Sequence, residues 1–235
     1  MDMIDKNLNI VREKIAQAAI KSGRNPDEIT LVAVSKTEPI RLIEEAIKLG
    51  VKDFGENKAQ EFRDKYELLG DNVIWHFIGH LQSNKVKYVV GKAKLIHSVD
   101  SIKLVKEINE RAAKLGLIQK ILFEVNTSGE ESKFGIRNYD ELLKIAEYCN
   151  ETTNIDLIGL MTMAPFTDDE KIIRKSFSKL REHKEKLGQK GFVLPHLSMG
   201  MTNDYEIAIE EGSTIVRIGT AIFGERDYSK PWDKK

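Results

Sequence analysis

Two short apolar segments of this 235-residue chain end in residues that could do chemistry together. The run 31–36 (LVAVSK) is typical of a buried strand and delivers Lys36 at its end. A lysine there loses hydration, which favours the neutral amine that attacks carbonyls. The run 214–221 (TIVRIGTA) ends in Arg217, Gly219 and Thr220, and its amides and hydroxyl could hold a phosphate. A carbonyl-reactive lysine beside a phosphate-binding strand end predicts pyridoxal 5'-phosphate (PLP) as the cofactor.

Each of these residues also has a purely structural interpretation. Lys36 would then be a strand-end lysine that extends to solvent, and Arg217 a partner in an ion pair. The glycines would be turn formers. The combination at neighbouring strand ends favours the functional interpretation, because isolated occurrences would not be expected to coincide.

The elements that must position these residues alternate along the chain. Apolar residues at helical spacing predict a first helix over 4–22, which ends before Gly23. Strands are predicted at 30–35, 53–55, 74–79, 95–98, 120–126, 155–163, 196–199 and 214–218. Helices are predicted at 39–49, 57–69, 83–91, 101–115, 138–150, 168–188 and 203–211.

Eight strands with intervening helices indicate the fold class. The length is close to the roughly 250 residues of a (β/α)8 barrel, and several strands are almost continuously apolar, as when both sheet faces are covered. We therefore predict an α/β protein, a single (β/α)8 TIM barrel with an extra N-terminal helix, forming one domain over 1–235. The alternative, a doubly wound open sheet, lacks a G-x-G-x-x-G motif after the first strand.

In such a barrel the carboxyl ends of the strands meet on one face and form the active site, with phosphate usually bound after strands 7 and 8. Residues at these ends are the candidates for binding the cofactor: Lys36, Asn57, Ser198, Gly200, Arg217, Gly219 and Thr220. Arginine donates hydrogen bonds but does not accept a proton, so Arg217 beside a pyridine nitrogen would keep the ring neutral. A neutral ring stabilises carbanions poorly, which argues against vigorous aminotransferase chemistry.

Composition excludes several classes of function. Lysine plus arginine and aspartate plus glutamate number 37 each, so no net field attracts nucleic acid or an anionic membrane. The single cysteine, Cys149, excludes an intramolecular disulfide, and the histidines lack metal-ligand spacing. Of these, His76 and His80 are expected near the pocket, whereas His183 is expected in solvent on a charged helix. Without a signal-type or spanning apolar run, we expect a cytoplasmic protein, and we expect a monomer.

Five motifs together resemble the pyridoxal phosphate homeostasis protein family over residues 31–228. They are VSK at 34–36, FGEN at 54–57, HFIG at 76–79, SMGM at 198–201 and VRIGTAIFG at 216–224. Members of that family look like the barrel domain of bacterial alanine racemase without its second domain. The resemblance implies a PLP-binding, non-catalytic protein that influences vitamin B6 and amino-acid balance, with PLP-dependent apoenzymes as possible partners.

The resemblance also implies residue roles. Lys36 would hold PLP as a Schiff base, Arg217 would face the pyridine nitrogen, and Asn57 would line the cofactor. The phosphate-binding positions would be Ser198, Gly219 and Thr220. Thr202 departs from the serine more frequent in the family but keeps the hydroxyl.

Two other functions stay open at this point. One is a PLP-dependent amino-acid racemase that combines Lys36 with an unrecognised second base, because racemisation needs an acid or base on each face. The other is a Schiff-base aldolase that acts on a phosphorylated sugar in the same barrel. Only bound PLP would give a visible absorbance band.

Overall fold

The structure, a computed structural model, describes residues 3–225. Its strands are Thr30–Val34 (β1), Asp53–Glu56 (β2), Ile74–Phe77 (β3), Leu95–Val99 (β4), Gln119–Glu124 (β5), Ile155–Met161 (β6), His196–Ser198 (β7) and Ile215–Ile218 (β8). Its α-helices are Met3–Lys21 (α1), Ile40–Lys48 (α2), Ala59–Leu69 (α3), Val86–Val89 (α4), Ile102–Lys114 (α5), Tyr139–Asn150 (α6), Glu170–Gln189 (α7), Tyr205–Glu210 (α8) and Thr220–Phe223 (α9).

The eight strands form a closed parallel barrel in chain order, with β8 paired to β1. Closure confirms the predicted (β/α)8 barrel and excludes the open doubly wound sheet, which has two free edges. The β1–β8 register places Val32 opposite Arg217 and Ala33 opposite Ile218. The chain segments that follow these two strands, with Lys36 and Gly219, therefore emerge side by side.

Alternation along the strands divides the apolar core into two layers. The larger layer lies between sheet and helices and includes Ala33, Ile121 and Val216. A smaller one, inside the barrel, consists of Val32, Leu95, Leu122, Met161 and Ile215. Buried polar side chains, among them His97 and Ser198, share the inner space with this small cluster.

The extra N-terminal helix is confirmed as α1. Its buried face includes Ile4, Leu8 and Val11, and it packs against α8 and α9. Just beyond its end, Gly23 has a φ of 70°, the left-handed conformation that glycine adopts without strain. Asn7 Nδ2 donates to the carbonyl oxygen of Ile222 at 3.0 Å, which ties α1 to the helix that follows β8.

Two local predictions differ from the structure. The helix predicted over 83–91 is a 3₁₀ turn at Ser83–Lys85 followed by the short α4. His183 was expected in solvent, but it is 7% exposed and its ring stacks on Tyr139, with centroids 5.7 Å apart. The charged neighbours of His183 in the sequence conceal the fact that it lies on the inner face of α7. Cys149 is buried, as its position on the apolar face of α6 suggests.

Candidate functional site

A cavity of about 240 Å³ opens at the carboxyl ends of the strands. Five predicted site residues line it together: Lys36, Asn57, Arg217, Gly219 and Thr220. They come from β1, β2 and β8 and from the segments that follow them, so barrel closure alone brings them together. The remaining wall includes Met163, Ile173, Thr202 and Asp204.

Lys36 is half-buried and lies directly after β1. Hydrogen bonds at the next residue hold the backbone of this segment in place. The next residue, Thr37, has a φ of 67°, which is uncommon for a β-branched residue. Its amide donates to Oε1 of Glu61 at 2.5 Å, and its hydroxyl donates to the carbonyl oxygen of Lys36 at 2.6 Å. These bonds offset the backbone strain and set the direction in which Lys36 leaves the strand.

Beneath this segment lies a group of four side chains, here called the Lys65 cluster: Ser35, Glu56, Glu61 and Lys65. Nζ of Lys65, fully buried, donates to Oε1 of Glu56 and Oε1 of Glu61, each at 2.8 Å. It also donates to the carbonyl oxygen of Ser35 at 2.6 Å, one residue before Lys36. The cluster thus connects β1, β2 and α3 under the predicted reactive lysine.

The charge of the Lys65 cluster depends on Glu56. Its Oε1 accepts from Ser35 Oγ at 2.7 Å as well as from Lys65, whereas Oε2 is buried without a partner in residues 3–225. Burial raises the pKa of Glu56 to about 7, against the attraction of Lys65 and with repulsion from Glu61 added. The cluster therefore approaches neutrality when Glu56 holds a proton.

Arg217 crosses from β8 to the cavity wall and is held on two sides. Nη1 donates to Ser198 Oγ at 2.5 Å, and Nη2 donates to the carbonyl oxygen of Thr162 at 3.0 Å. Burial lowers the pKa of Arg217 to about 10, partly opposed by Asp204 and Glu124. Arg217 therefore stays a cation near neutral pH and presents a fixed planar donor to the cavity.

The two remaining predicted residues, Ser198 and Gly200, lie behind the cavity wall. The Ser198 hydroxyl is fully buried and bonded to Arg217 and His97, and the phosphate contact predicted for this residue stays a prediction. Gly200 has a φ of 97°, and a Cβ there would lie 2.6 Å from Cβ of Ala208. Glycine at this position lets α8 pack closely on the end of β7.

A second hydroxyl, that of Thr202, lies in the cavity wall. Its Oγ1 accepts from the Ala221 amide at 3.4 Å. Gly219 is the N-cap of α9 and Thr220 is its first residue, and the first amides of a helix have no acceptor within it. Together these groups form a cluster of donors suited to an anion.

Asn57 carries a buried acceptor that needs a partner. Its Oδ1 has no hydrogen bond within residues 3–225, although the side chain lines the cavity. A Cβ at Gly79 would lie 2.1 Å from the Asn57 carbonyl oxygen, so the absence of a side chain there lets the two segments approach. A ligand with a donor would satisfy the orphaned oxygen.

Two buried acids face this end of the barrel. Burial raises the pKa of Glu124 to about 7; the charge of Asp100 raises it further, and Arg217 opposes the shift. Burial also raises the pKa of Asp204, which accepts from the Met201 amide at 2.6 Å. These carboxyls temper the positive charge that Arg217 contributes.

Other classes of site find no support in the part of the chain that the structure describes. Across residues 3–225, no three His, Cys, Asp or Glu side chains are grouped so as to hold a metal ion. Nor does any helix in that range combine the length and apolarity needed to cross a bilayer. His80, expected near the pocket, stacks on Phe134 with centroids 3.9 Å apart, and His76 lies inside the barrel.

The closed barrel, with a lysine after β1 and an arginine on β8, defines the class of protein. The family model for the alanine racemase N-terminal domain matches residues 2–227. The pyridoxal phosphate homeostasis protein of Aquifex aeolicus is 47% identical over 225 residues, covering 95% of this chain and 98% of that protein. The Escherichia coli K12 protein of the same name is 43% identical over 238 residues, covering 98% and 100%. The chain belongs to the pyridoxal phosphate homeostasis protein family.

Solved structures agree with this assignment. PipY of Synechococcus elongatus, solved with PLP bound, superposes with a TM-score of 0.83 at 32% identity, covering 94% of this chain and all (100%) of that one. An alanine racemase of Clostridium difficile superposes with a TM-score of 0.77 at 17% identity. There the match covers 98% of this chain but 59% of the racemase, and it shows a common fold.

Proposed function

We propose that this protein binds PLP as a Schiff base on Lys36 and serves PLP and amino-acid homeostasis, holding the cofactor without robust catalysis. The observation that carries the proposal is the convergence of Lys36, Arg217, Gly219 and Thr220 on one cavity. An amine, a fixed cation and a cluster of anion donors are the groups that a phosphorylated pyridine aldehyde requires.

The residues present fit the cofactor. Bound PLP supplies an aldehyde that condenses with a primary amine and releases water. Lys36 provides that amine, and the start of α9 with the Thr202 hydroxyl receives the phosphate. Arg217 would donate toward the ring nitrogen, and Asn57 lines the same cavity. The names of the relatives and the PLP-bound PipY structure support the same cofactor.

Borohydride reduction tests the attachment point. We expect the purified protein to absorb in the visible range and to retain the cofactor covalently after reduction, because reduction converts the imine into a stable amine. Peptide mapping by mass spectrometry should find the adduct on the peptide that contains Lys36.

A matched pair of variants controls this test. Lys36→Ala should lose the visible band and the adduct, whereas Lys85→Ala, a lysine after β3 outside the cavity, should keep both. An adduct on Lys85 in the wild-type protein would contradict the assignment of Lys36.

The residues that line the cavity support a role in holding the cofactor without turnover. Among residues 3–225, the cavity lining includes one amine, Lys36, and two carboxyls, Asp168 and Asp204, but neither tyrosine nor histidine. Asp204 already accepts from the Met201 amide. A two-base racemase needs a proton-transfer group on each face of the ring. Arg217 also leaves the ring nitrogen unprotonated, which weakens carbanion stabilisation. These features favour a cofactor carrier over the racemase alternative.

Incubation with L- and D-alanine in deuterated water distinguishes a cofactor carrier from a racemase. We expect no α-deuterium uptake at rates near the roughly 1–1,000 per second of ordinary enzymes. Racemisation at such a rate, lost in Lys36→Ala, would establish the racemase instead. Exchange of the imine with an incoming amine needs no carbanion, so release of PLP to PLP-dependent apoenzymes in the cytoplasm is chemically open to this protein.

A further inference from the structure

A chain of polar side chains runs through the barrel interior and ends on Arg217. Asp53 Oδ1 lies 2.9 Å from Nε2 of His76, and Nδ1 of His76 lies 2.9 Å from Nε2 of His97. Nδ1 of His97 lies 2.8 Å from Ser198 Oγ, which accepts from Arg217. The chain spans β2, β3, β4, β7 and β8, from the amino-terminal end of the barrel to the cavity.

The chemistry of its two ends fixes the direction of every bond. Arginine only donates, so Ser198 Oγ accepts from Arg217 and gives its own proton to Nδ1 of His97. His97 then carries its proton on Nε2 and donates to Nδ1 of His76. His76 likewise carries its proton on Nε2, which faces the Asp53 carboxylate. In this arrangement each donor meets one acceptor.

Burial keeps the central histidine neutral. His97 is fully buried. That burial holds the pKa of His97 well below its usual value, and the positive charge of Arg217 lowers it further. A proton added to Nδ1 of His97 would also remove the acceptor that the Ser198 hydroxyl proton uses. The neutral Nε2–H form is therefore the one that the surroundings of His97 accept.

We propose that His97 and His76 are positioning residues for Arg217: the hydrogen bonds that link them orient Ser198 so that the guanidinium keeps one orientation toward the cavity. Neither histidine lines the cavity, so both act through Ser198 and Arg217. The proposal deepens the proposed function and depends on it for the identity of the ligand, PLP. The positioning itself is a property of the protein without ligand.

Nitrogen NMR of the imidazoles tests the tautomers without PLP. In ¹⁵N-labelled protein, His97 should show the neutral Nε2–H pattern unchanged from pH 5.5 to pH 8, and the Arg217 side-chain N–H signals should exchange slowly. Comparison with His97→Gln assigns the signals. A protonated His97 at pH 7, or an Nδ1–H tautomer, would overturn the proposal.

Substitution tests the consequence for Arg217 and PLP. In His97→Phe, which keeps a planar ring but no hydrogen bond, the Arg217 N–H signals should exchange fast. The dissociation constant for PLP should rise at least tenfold, and His97→Gln should recover part of both. His183 is a buried histidine on α7 that does not belong to this series of polar side chains. His183→Phe should therefore change neither the Arg217 exchange rates nor the dissociation constant for PLP.

The outcomes separate the two proposals. Unchanged Arg217 signals and PLP affinity in a folded His97→Phe variant would refute the positioning role. Wild-type protein that fails to bind PLP would refute the proposed function, and the Arg217 exchange rates would still decide the role of His97. If His97→Phe does not fold, the wild-type tautomers and His97→Gln decide it.

Discussion

Replacing Lys65 with methionine is expected to lower the free energy of unfolding by about 3–5 kcal/mol, the usual cost of removing one partner from a buried ionic group. The ammonium of Lys65 donates to Glu56, Glu61 and the Ser35 carbonyl. Methionine fills a similar volume but leaves two carboxyls facing each other without a cation. Urea unfolding at pH 8, where both carboxyls ionise in the unfolded chain, measures the loss.

Two variants make this result specific. Lys14 forms an ion pair with Glu206 at 2.9 Å on the surface, so Lys14→Met should cost less than about 1 kcal/mol. Adding Glu56→Gln and Glu61→Gln to Lys65→Met removes the uncompensated charge and should restore part of the stability. A loss below about 1 kcal/mol for Lys65→Met would show that the Lys65 cluster does not hold the β1 end in place.

Glu124→Gln is expected to become progressively more stable than the wild-type protein as the pH rises from 4.5 to 7. Burial raises the pKa of Glu124 to about 7, so the folded state holds a proton that the unfolded chain releases near 4.5. When the pKa of an acid is raised in the folded state, its proton stabilises the fold fully at pH values below the pKa in the unfolded state. This stabilisation is lost as the pH rises through the pKa in the folded state. With 1.36 kcal/mol per pKa unit, the difference should reach about 3 kcal/mol.

Urea unfolding of both proteins at pH 5 and pH 8 measures this difference. The lowered pKa values of His97, His183 and His196 act in the opposite direction in the same range. They are present in both proteins and cancel in the comparison. Glu147→Gln, on the exposed face of α6, should differ from wild type by less than about 0.5 kcal/mol at either pH. If the difference in free energy of unfolding between Glu124→Gln and the wild-type protein is the same at pH 5 and pH 8, the raised pKa of Glu124 is contradicted.

The fold was predictable because each strand carries its own signal. Apolar runs bounded by glycine or polar residues placed all eight strands within a few positions, and the number of strands indicated the closed barrel. The short α9 was not predicted, because four residues give no periodicity. His183 was misplaced for a related reason: charged neighbours on a helix say little about its inner face.

The site was predictable only where residues follow strand ends directly. Lys36, Arg217 and Gly219 could be located from β1 and β8 alone. The roles of Lys65 and His97 could not, because their partners come from other strands and helices. In the sequence Lys65 resembles a solvated helix lysine, and its spacing from Glu61 is the one available signal. These contacts join segments that are far apart in the sequence and meet only when the barrel closes, so a local sequence pattern cannot predict them.

The pairing of β1 with β8 has a consequence for biosynthesis. Lys36 and Thr220 lie on one wall, yet they stand at opposite ends of the described chain. At about 5–20 residues per second, the ribosome exposes the amine roughly 10–40 s before the anion-binding amides. During that interval the emerging chain contains Lys36 but lacks the proposed phosphate-binding residues and the strand β8 that closes the barrel. If Lys36 and the residues after β8 bind the cofactor as proposed, we expect vitamin B6 loading to follow translation of the last strand, and cofactor retention then reports that folding is finished.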